Sequence, residues 1–268
     1  MKAEELLQAG QLDQALLGLQ DSVRNNAADP RLRVFLFQIL CVLGQWKRAL
    51  TQLDVLAGFD SDHMMLARIF QPVVQCELLR QGVFAGKHTP LVFGEPLDWM
   101  GPLVQANGLV AQGKFTAAQE LRDRVFADAP ATPGKINGRE FEWIADADLR
   151  LGPVLEAIIE GHYYWIPWCR IKLVHLEPPT DLRDLVWAPA QFVWTNGGEA
   201  SGHIPSRYPG TEKTDDAQLK LARKTEWQER EGGYALGLGQ RVFSTDGDDC
   251  SLFECRTIEL TPPADAKP

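Results

Sequence analysis

A seven-residue phrase recurs along the first half of this chain at a spacing that leaves few possible folds. "GQLDQAL" begins at Gly10, "GQWKRAL" at Gly44 and "GKFTAAQ" at Gly113. The first two start 34 residues apart and the third 69 residues further on, close to two more periods. A helix–turn–helix unit of about 34 residues, with glycine at the turn, a bulky apolar residue two positions later and alanine three beyond that, is the tetratricopeptide pattern. Each position has a physical task. Gly10, Gly44 and Gly113 supply the left-handed backbone that ends a helix. Leu12, Trp46 and Phe115 plug the gap between paired helices, and Ala15, Ala49 and Ala118 let those helices approach closely.

The intervening sequence agrees. Leu32, Phe35, Leu36, Ile39 and Leu43 recur at three- and four-residue steps, as do Trp46, Ala49, Leu50 and Leu53. Asp29-Pro30 reads as an N-cap followed by proline in the first turn. The repeat expected near residues 78–86 is degenerate, and Pro72 predicts a kink or interruption in its helix. Residues 1–130 are therefore expected to form a tetratricopeptide-like helical domain.

The Pro- and Gly-rich stretch "ADAPATPGKINGR" (127–139) marks a boundary. Beyond it, "GPVLEAIIEG" (152–161) predicts a short apolar helix, which makes 131–161 a linker with a connecting helix. From there the apolar period drops to two, in segments such as "RIKLVHLEPP", "DLVWAPAQFVW" and "SLFECRTIEL". Asn196-Gly197 in "WTNGGEA" is a hairpin turn signal. Short strands without long helices between them predict a small barrel or a curled antiparallel sheet over 162–260. Residues 211–222, "TEKTDDAQLKLA", read as a helical turn or surface loop, and 261–268 as a disordered tail. The expected fold is thus α+β, a tetratricopeptide-like α-helical repeat array followed by a small β-rich domain.

Charge narrows the function classes. Thirty-six acidic against 27 basic residues give a net charge of −9. That argues against nucleic acid, whose affinity rests on neutralised phosphates, and against anionic membranes. The amphipathic start "MKAEELLQAGQLDQAL" has no signal-peptide apolar region, and no run approaches the roughly 18 apolar residues of a membrane span. Five cysteines, odd in number and without a CxxC pair, point to a reducing cytoplasm.

The densest carboxylate group is in "FEWIADADLRLGP" (141–153), where Glu142, Asp146 and Asp148 flank Trp143. Asp-x-Asp pairs hold hard divalent cations in some sugar- and phosphoryl-transfer enzymes, so a divalent-metal-dependent enzyme using Asp146 and Asp148 is the alternative reading. The favoured reading is structural: these carboxylates cap, pair with Arg150 and fix the joint between the two parts, with no metal. "GKHT" (86–89) fails as a phosphate loop, because His88 replaces the required Ser or Thr and the segment follows a helix. His63, His88, His162, His175 and His203 never pair at metal spacing, and no nucleophile elbow is present. No catalytic residue and no cofactor are expected. The aromatic run Tyr163, Tyr164, Trp165 and Trp168 fits a core strand or interdomain contact, as do Trp187, Trp194 and Trp227.

Longer segments carry a resemblance. "LFQILCVLGQWKRALTQLDVLAGFD", "TPLVFGEP", "PATPGKINGREFEWIADADLRLGPVLEAIIEGHYYWIPW", "PTDLRDLVWAPA", "SRYPGTE" and "RKTEW" resemble the ImpE/TagJ family, also called SciE-type virulence proteins, in order and with similar spacing from about Leu32 to Leu260. The resemblance implies a cytoplasmic bacterial interaction protein, accessory to type VI secretion. Some family members bind a helix of the small subunit of the contractile sheath and have been linked to the ATPase that recycles contracted sheath. The family-signature positions matched here are Glu142, Trp143, Asp146, Asp148, Arg150, Tyr163, Tyr164, Arg183, Asp184, Trp187, Tyr208, Arg223, Glu226 and Trp227, with no catalytic role implied for any of them. Stacked helix pairs form a concave surface suited to an amphipathic helix. Residues 1 to about 130 are therefore expected to grip a helical peptide, with the β-rich part as a second docking surface. The acidic charge suits a partner helix that carries basic residues.

Overall fold

A computed structural model describes residues 3–95 and 97–261; the expectation of a disordered tail falls, apart from Thr261, outside the described residues. The repeat phrases stand where the spacing placed them. Gly10 separates α1 (Ala3–Gln8) from α2 (Leu12–Asn25), and Gly44 separates α3 (Pro30–Val42) from α4 (Trp46–Leu56). All three turn glycines are left-handed, at φ +75°, +67° and +74°, and Ala15, Ala49 and Ala118 are fully buried. Asp29 caps α3 by accepting from the Arg31 N–H at 2.9 Å.

The degenerate third repeat has a structural counterpart. α5 (Ser61–Phe84) is a single 24-residue helix that contains Pro72 and continues past it. After it the chain leaves the array, and β1 (Leu91–Val92) joins the sheet as an edge strand, with Val92 packed against the helical core. The array then resumes with α6 (Met100–Ala111), Gly113 and α7 (Phe115–Asp128).

Segment 131–161 contains strands where a linker and connecting helix were expected. β2 (Gly134–Ile136), β3 (Arg139–Phe141) and β4 (Ile144–Asp146) lead into β5 (Val154–Ile159), which occupies the predicted helix. Every residue of β5 is buried. A run apolar on both faces has no period with which to tell helix from strand. The flanking turn decides it: Glu160 and Gly161, at φ +50° and +76°, form a two-residue connection with both centres left-handed, the geometry that suits a tight hairpin. β5 therefore pairs antiparallel with β6 (His162–Pro167).

β7 (Ile171–Leu176), β8 (Trp187–Trp194) and β9 (Glu199–Pro205) follow, with Asn196-Gly197 in the β8–β9 hairpin as expected. A helical turn, α8 (Ala217–Lys220), precedes the hairpin of β10 (Thr225–Glu229) and β11 (Ala235–Gly239). β12 (Val242–Thr245), β13 (Cys250–Ser251) and β14 (Thr257–Leu260) complete the order. The main sheet has nine strands in the order β1-β6-β5-β9-β8-β7-β14-β2-β3. It is open and mixed, since β1 joins β6 in parallel, and this corrects the expected barrel or curled antiparallel sheet. Its two edges, β1 and β3, are short strands from different parts of the chain and do not pair with each other. A three-stranded sheet, β13-β12-β4, lies beside it.

The two faces of the main sheet serve different cores. Val154, Ile158, Tyr163, Trp165 and Trp187 pack with the helices in one continuous apolar cluster. Leu155, Ala157, Ile159 and Ile166 alternate with them and pack with Phe243, Cys250 and Leu252 on the other face. One side of the helical array is thus covered by the chain's own sheet. Among the described residues no helix is long and apolar enough to cross a membrane.

Candidate functional site

Where helices meet sheet, charged side chains are buried in a connected group. Glu156 projects from β5 on the same face as Val154 and Ile158. Its Oε1 accepts from Arg80 Nε of α5 at 2.7 Å and its Oε2 from Arg80 Nη2 at 2.9 Å. Arg241, just before β12, donates to Glu156 and also to Asp146 at the end of β4. Tyr163 donates its hydroxyl to Glu156 and accepts from Trp165 Nε1 at 2.7 Å. Glu77, one turn before Arg80, accepts from Trp187 Nε1 at 2.9 Å. Arg241 and Glu156 are both 0% exposed.

Asp148 is the second centre. Its Oδ1 accepts from Arg150 N and Nε at 2.9 and 2.8 Å, and its Oδ2 from Arg150 Nη2 at 2.5 Å and the Gly237 N–H at 2.8 Å. Asp146 Oδ1 accepts from the Asp148 N–H at 2.9 Å, so the two aspartates belong to one tight turn closed by the bond from Asp146 N–H to Gly152 O. Gly237 is required here: a Cβ would come within 2.3 Å of the Tyr208 ring.

The electrostatics follow from burial and pairing. Burial pushes Asp146 up to about 7, against the pull of Arg241 and with a further push from Asp148. Glu156 moves the other way. Burial alone would raise it, but Arg80 and Arg241 hold it down to about 2. Ionised groups taken out of water persist only when such partners replace the lost hydration. This arrangement fixes geometry. The oxygens of Asp146 and Asp148, which the metal-enzyme reading needs as ligands, are engaged by Arg241, Arg150 and backbone N–H groups.

The other signature positions are spread over the molecule. Arg223 donates from Nη1 and Nη2 to the Gln8 and Leu7 carbonyls at the C-terminus of α1, at 3.1 and 3.4 Å. Asp184 caps the turn at 182–185 by accepting from the Thr180 and Asp181 N–H groups, both at 2.8 Å. Arg183 lies over the Phe70 ring of α5, 4.8 Å from its centroid. Tyr164 faces the opposite side of the sheet, edge-on to Phe93. Glu226 is exposed and paired with Lys224; Trp227 is 41% exposed and Trp143 39%. Glu142 is in solvent, and its backbone N–H donates to Asp246 Oδ1 at 2.7 Å.

Sequence reasoning found Asp146, Asp148 and Arg150 but missed Glu77, Arg80, Glu156, Arg207 and Arg241. Arg207 belongs with them, since its Nη1 donates to the Val42 carbonyl at 2.7 Å and to the Lys220 carbonyl at 2.6 Å, tying the end of α3 to the β-rich part. A signal was available in two cases. Glu156 is the one charge in "VLEAII" and Arg241 interrupts the apolar alternation of "GLGQRVF"; a lone charge in an apolar strand demands a partner.

The comparisons with known proteins match this architecture. The family pattern described as ImpE protein matches residues 138–259, the segment that carries Asp146, Asp148, Glu156 and Arg241. The type VI secretion system accessory component TagJ of Pseudomonas aeruginosa is 45% identical over 262 residues, covering 98% of this chain and 92% of that protein. This chain belongs to the ImpE family. The ImpE fold extends to a crystal structure of a protein from Vibrio parahaemolyticus, with a TM-score of 0.89 at 24% identity, covering 98% of both chains. That likeness concerns the fold alone.

Proposed function

We propose that this ImpE-family protein is a non-enzymatic accessory component of a bacterial type VI secretion system. It acts as a cytoplasmic adaptor that binds a helical segment of the small subunit of the contractile sheath and so modulates sheath recycling by the ATPase. The observation that carries this reading is the 45% identity, over nearly the whole chain, to a protein named as such a component. The buried charges support a scaffold role, because their donors and acceptors are spent on holding the two halves together.

The sheet covers one side of the array, so in this reading the partner helix docks at the seam between array and sheet. A groove of about 640 Å³ runs between α5 and strands β8 and β9, walled by Ile69, Phe70, Pro72 and Val73 and rimmed by Arg68, Glu177 and Arg183. Met65 and Ile69, at 54% and 46% exposure, extend its apolar wall into solvent. Apolar positions four apart on α5 suit the anchors of an amphipathic helix.

Titration calorimetry with helical peptides of the sheath small subunit tests this. Binding with a dissociation constant near micromolar, about −8 kcal/mol, is expected. Ile69→Asp should weaken it by roughly tenfold or more, about 1.4 kcal/mol. Failure of every cognate peptide to bind the folded protein overturns the reading.

A further inference from the structure

Cys250 and Cys255 differ from the other cysteines because their sulfurs meet. The two Sγ atoms are 3.0 Å apart, and both thiols are free. Cys250 opens β13, and Cys255 ends the one-turn segment Leu252–Glu254 that leads to β14. That turn is held by its surroundings. The Leu252 N–H donates to Arg241 O at 2.9 Å, the Phe253 N–H to Gln240 Oε1 at 3.1 Å, and Ser251 Oγ to Glu254 Oε2 at 2.6 Å. The backbone, more than side-chain freedom, keeps the sulfurs together. A disulfide bond is about 2.05 Å long, so closure needs an approach of only about 1 Å.

The two thiols have unequal surroundings. Cys250 is 6% exposed and lines a cleft of about 120 Å³ with Arg139, Glu140 and Asp248. Cys255 is 0% exposed. A water molecule's share of liquid volume is about 30 Å³, so such a cleft admits an oxidant of a few atoms and keeps out bulky disulfides. The hydrogen bond from Cys255 holds Cys250 below the ordinary thiol value, while that bond and burial hold Cys255 well above it. The reactive form of cysteine is the thiolate, so Cys250, which borders the cleft and is the more acidic member, attacks first.

We propose that Cys250 and Cys255 are a peroxide-sensitive dithiol, with Cys250 as the attacking sulfur and Cys255 as the resolving one. Cys250 sulfur attacks one oxygen of hydrogen peroxide. The O–O bond breaks, a sulfenic acid forms on Cys250, and the released hydroxide takes the Cys250 thiol proton to become water. Cys255 sulfur then attacks the sulfenic sulfur. The S–S bond forms, the S–O bond breaks, and the departing hydroxide takes the Cys255 proton as a second water. Two thiols lose two electrons and one peroxide gains them. Cys250 lies in β13 of the three-stranded sheet and Cys255 two residues before β14 of the nine-stranded one, so the bridge closes the short connection between the two sheets.

Peptide mapping of the full-length wild-type protein tests this without relying on any variant to fold. After hydrogen peroxide treatment, quenching, denaturation and alkylation, the tryptic segment 242–256 contains both sulfurs. It should be about 2 Da lighter than its reduced, unlabelled form, carry no alkyl group, and accept two after dithiothreitol. Cys255→Ser should stop at a sulfenic acid on Cys250 that dimedone captures, and Cys250→Ser should leave Cys255 unoxidised at the same dose. Two free thiols in the wild-type segment, at a dose that oxidises N-acetylcysteine, overturn the proposal. So does oxidation of Cys250 to sulfinic acid with Cys255 still free, or a bridge from either sulfur to another chain.

Discussion

Glu156 and Glu142 lie fourteen positions apart in the same β-rich region and meet opposite fates. Glu142 stands in solvent beside a partly exposed Trp143, and its carboxylate makes no described contact with the buried group. Glu156 is fully buried in a strand that is apolar on both faces, and stays ionised because Arg80 and Arg241 both donate to it. The contrast teaches that an acidic residue's role here depends on which distant segments reach it. Neighbours in sequence can show that a buried charge needs a partner, but for Glu156 only the fold decides which one.

The strongest way to break the contrast is to remove a shared partner. Arg241→Met leaves Asp146 and Glu156 without their common guanidinium, and deleting one member of a buried ionic group costs about 3–5 kcal/mol. Urea unfolding should show a loss of that order. A change under about 1 kcal/mol would place the network outside the stabilising core.

A second experiment uses pH. Asp146 rises from 3.8 to about 7 on folding, so the native protein binds more protons than the unfolded chain between those values. Its contribution to stability is complete below pH 3.8 and is lost as pH rises towards 7, with a slope of up to roughly 1.4 kcal/mol per pH unit. The stability of the wild type minus that of Asp146→Asn should therefore fall between pH 4 and 7. Parallel curves would contradict the raised value. Glu156 has the opposite sign: held down to about 2 from 4.5, it loses its contribution as pH drops through that lower range.

The smallest effect is expected at the exposed end of the comparison. Trp143→Ala should change unfolding stability by no more than about 0.5 kcal/mol, the usual range for surface positions away from packed features. A loss above 1 kcal/mol would show that this ring is anchored, and the division between buried group and outer rim would have to be redrawn.

Much of the helical half was legible because its signals are local. Gly10, Gly44 and Gly113 with their buried alanines repeat within one structural unit, and a turn, a plug and a close approach each leave a mark on neighbouring residues. The excursion after α5 was less legible. Degeneracy near residues 78–86 showed that the repeat failed there, and nothing nearby signalled that β1 would join β6, over seventy residues ahead (Leu91 with Tyr164). In the β-rich part, Asn196-Gly197 announced its hairpin, whereas "VLEAII" concealed a strand behind uniform hydrophobicity. At the site, Asp148 and Arg150 form a pair readable within three residues.

Amino-acid order alone therefore specified the helical hairpins, the Asn-Gly turn and the family, each recorded in short or repeated stretches. Three-dimensional packing was needed to open the sheet, to turn residues 154–159 into one of its interior strands and to assemble Arg80, Glu156, Arg241 and Asp146. Those bonds span 76, 85 and 95 residues of chain. No local pattern encodes such pairings, because each charge becomes tolerable in the interior only after the fold has delivered its partner.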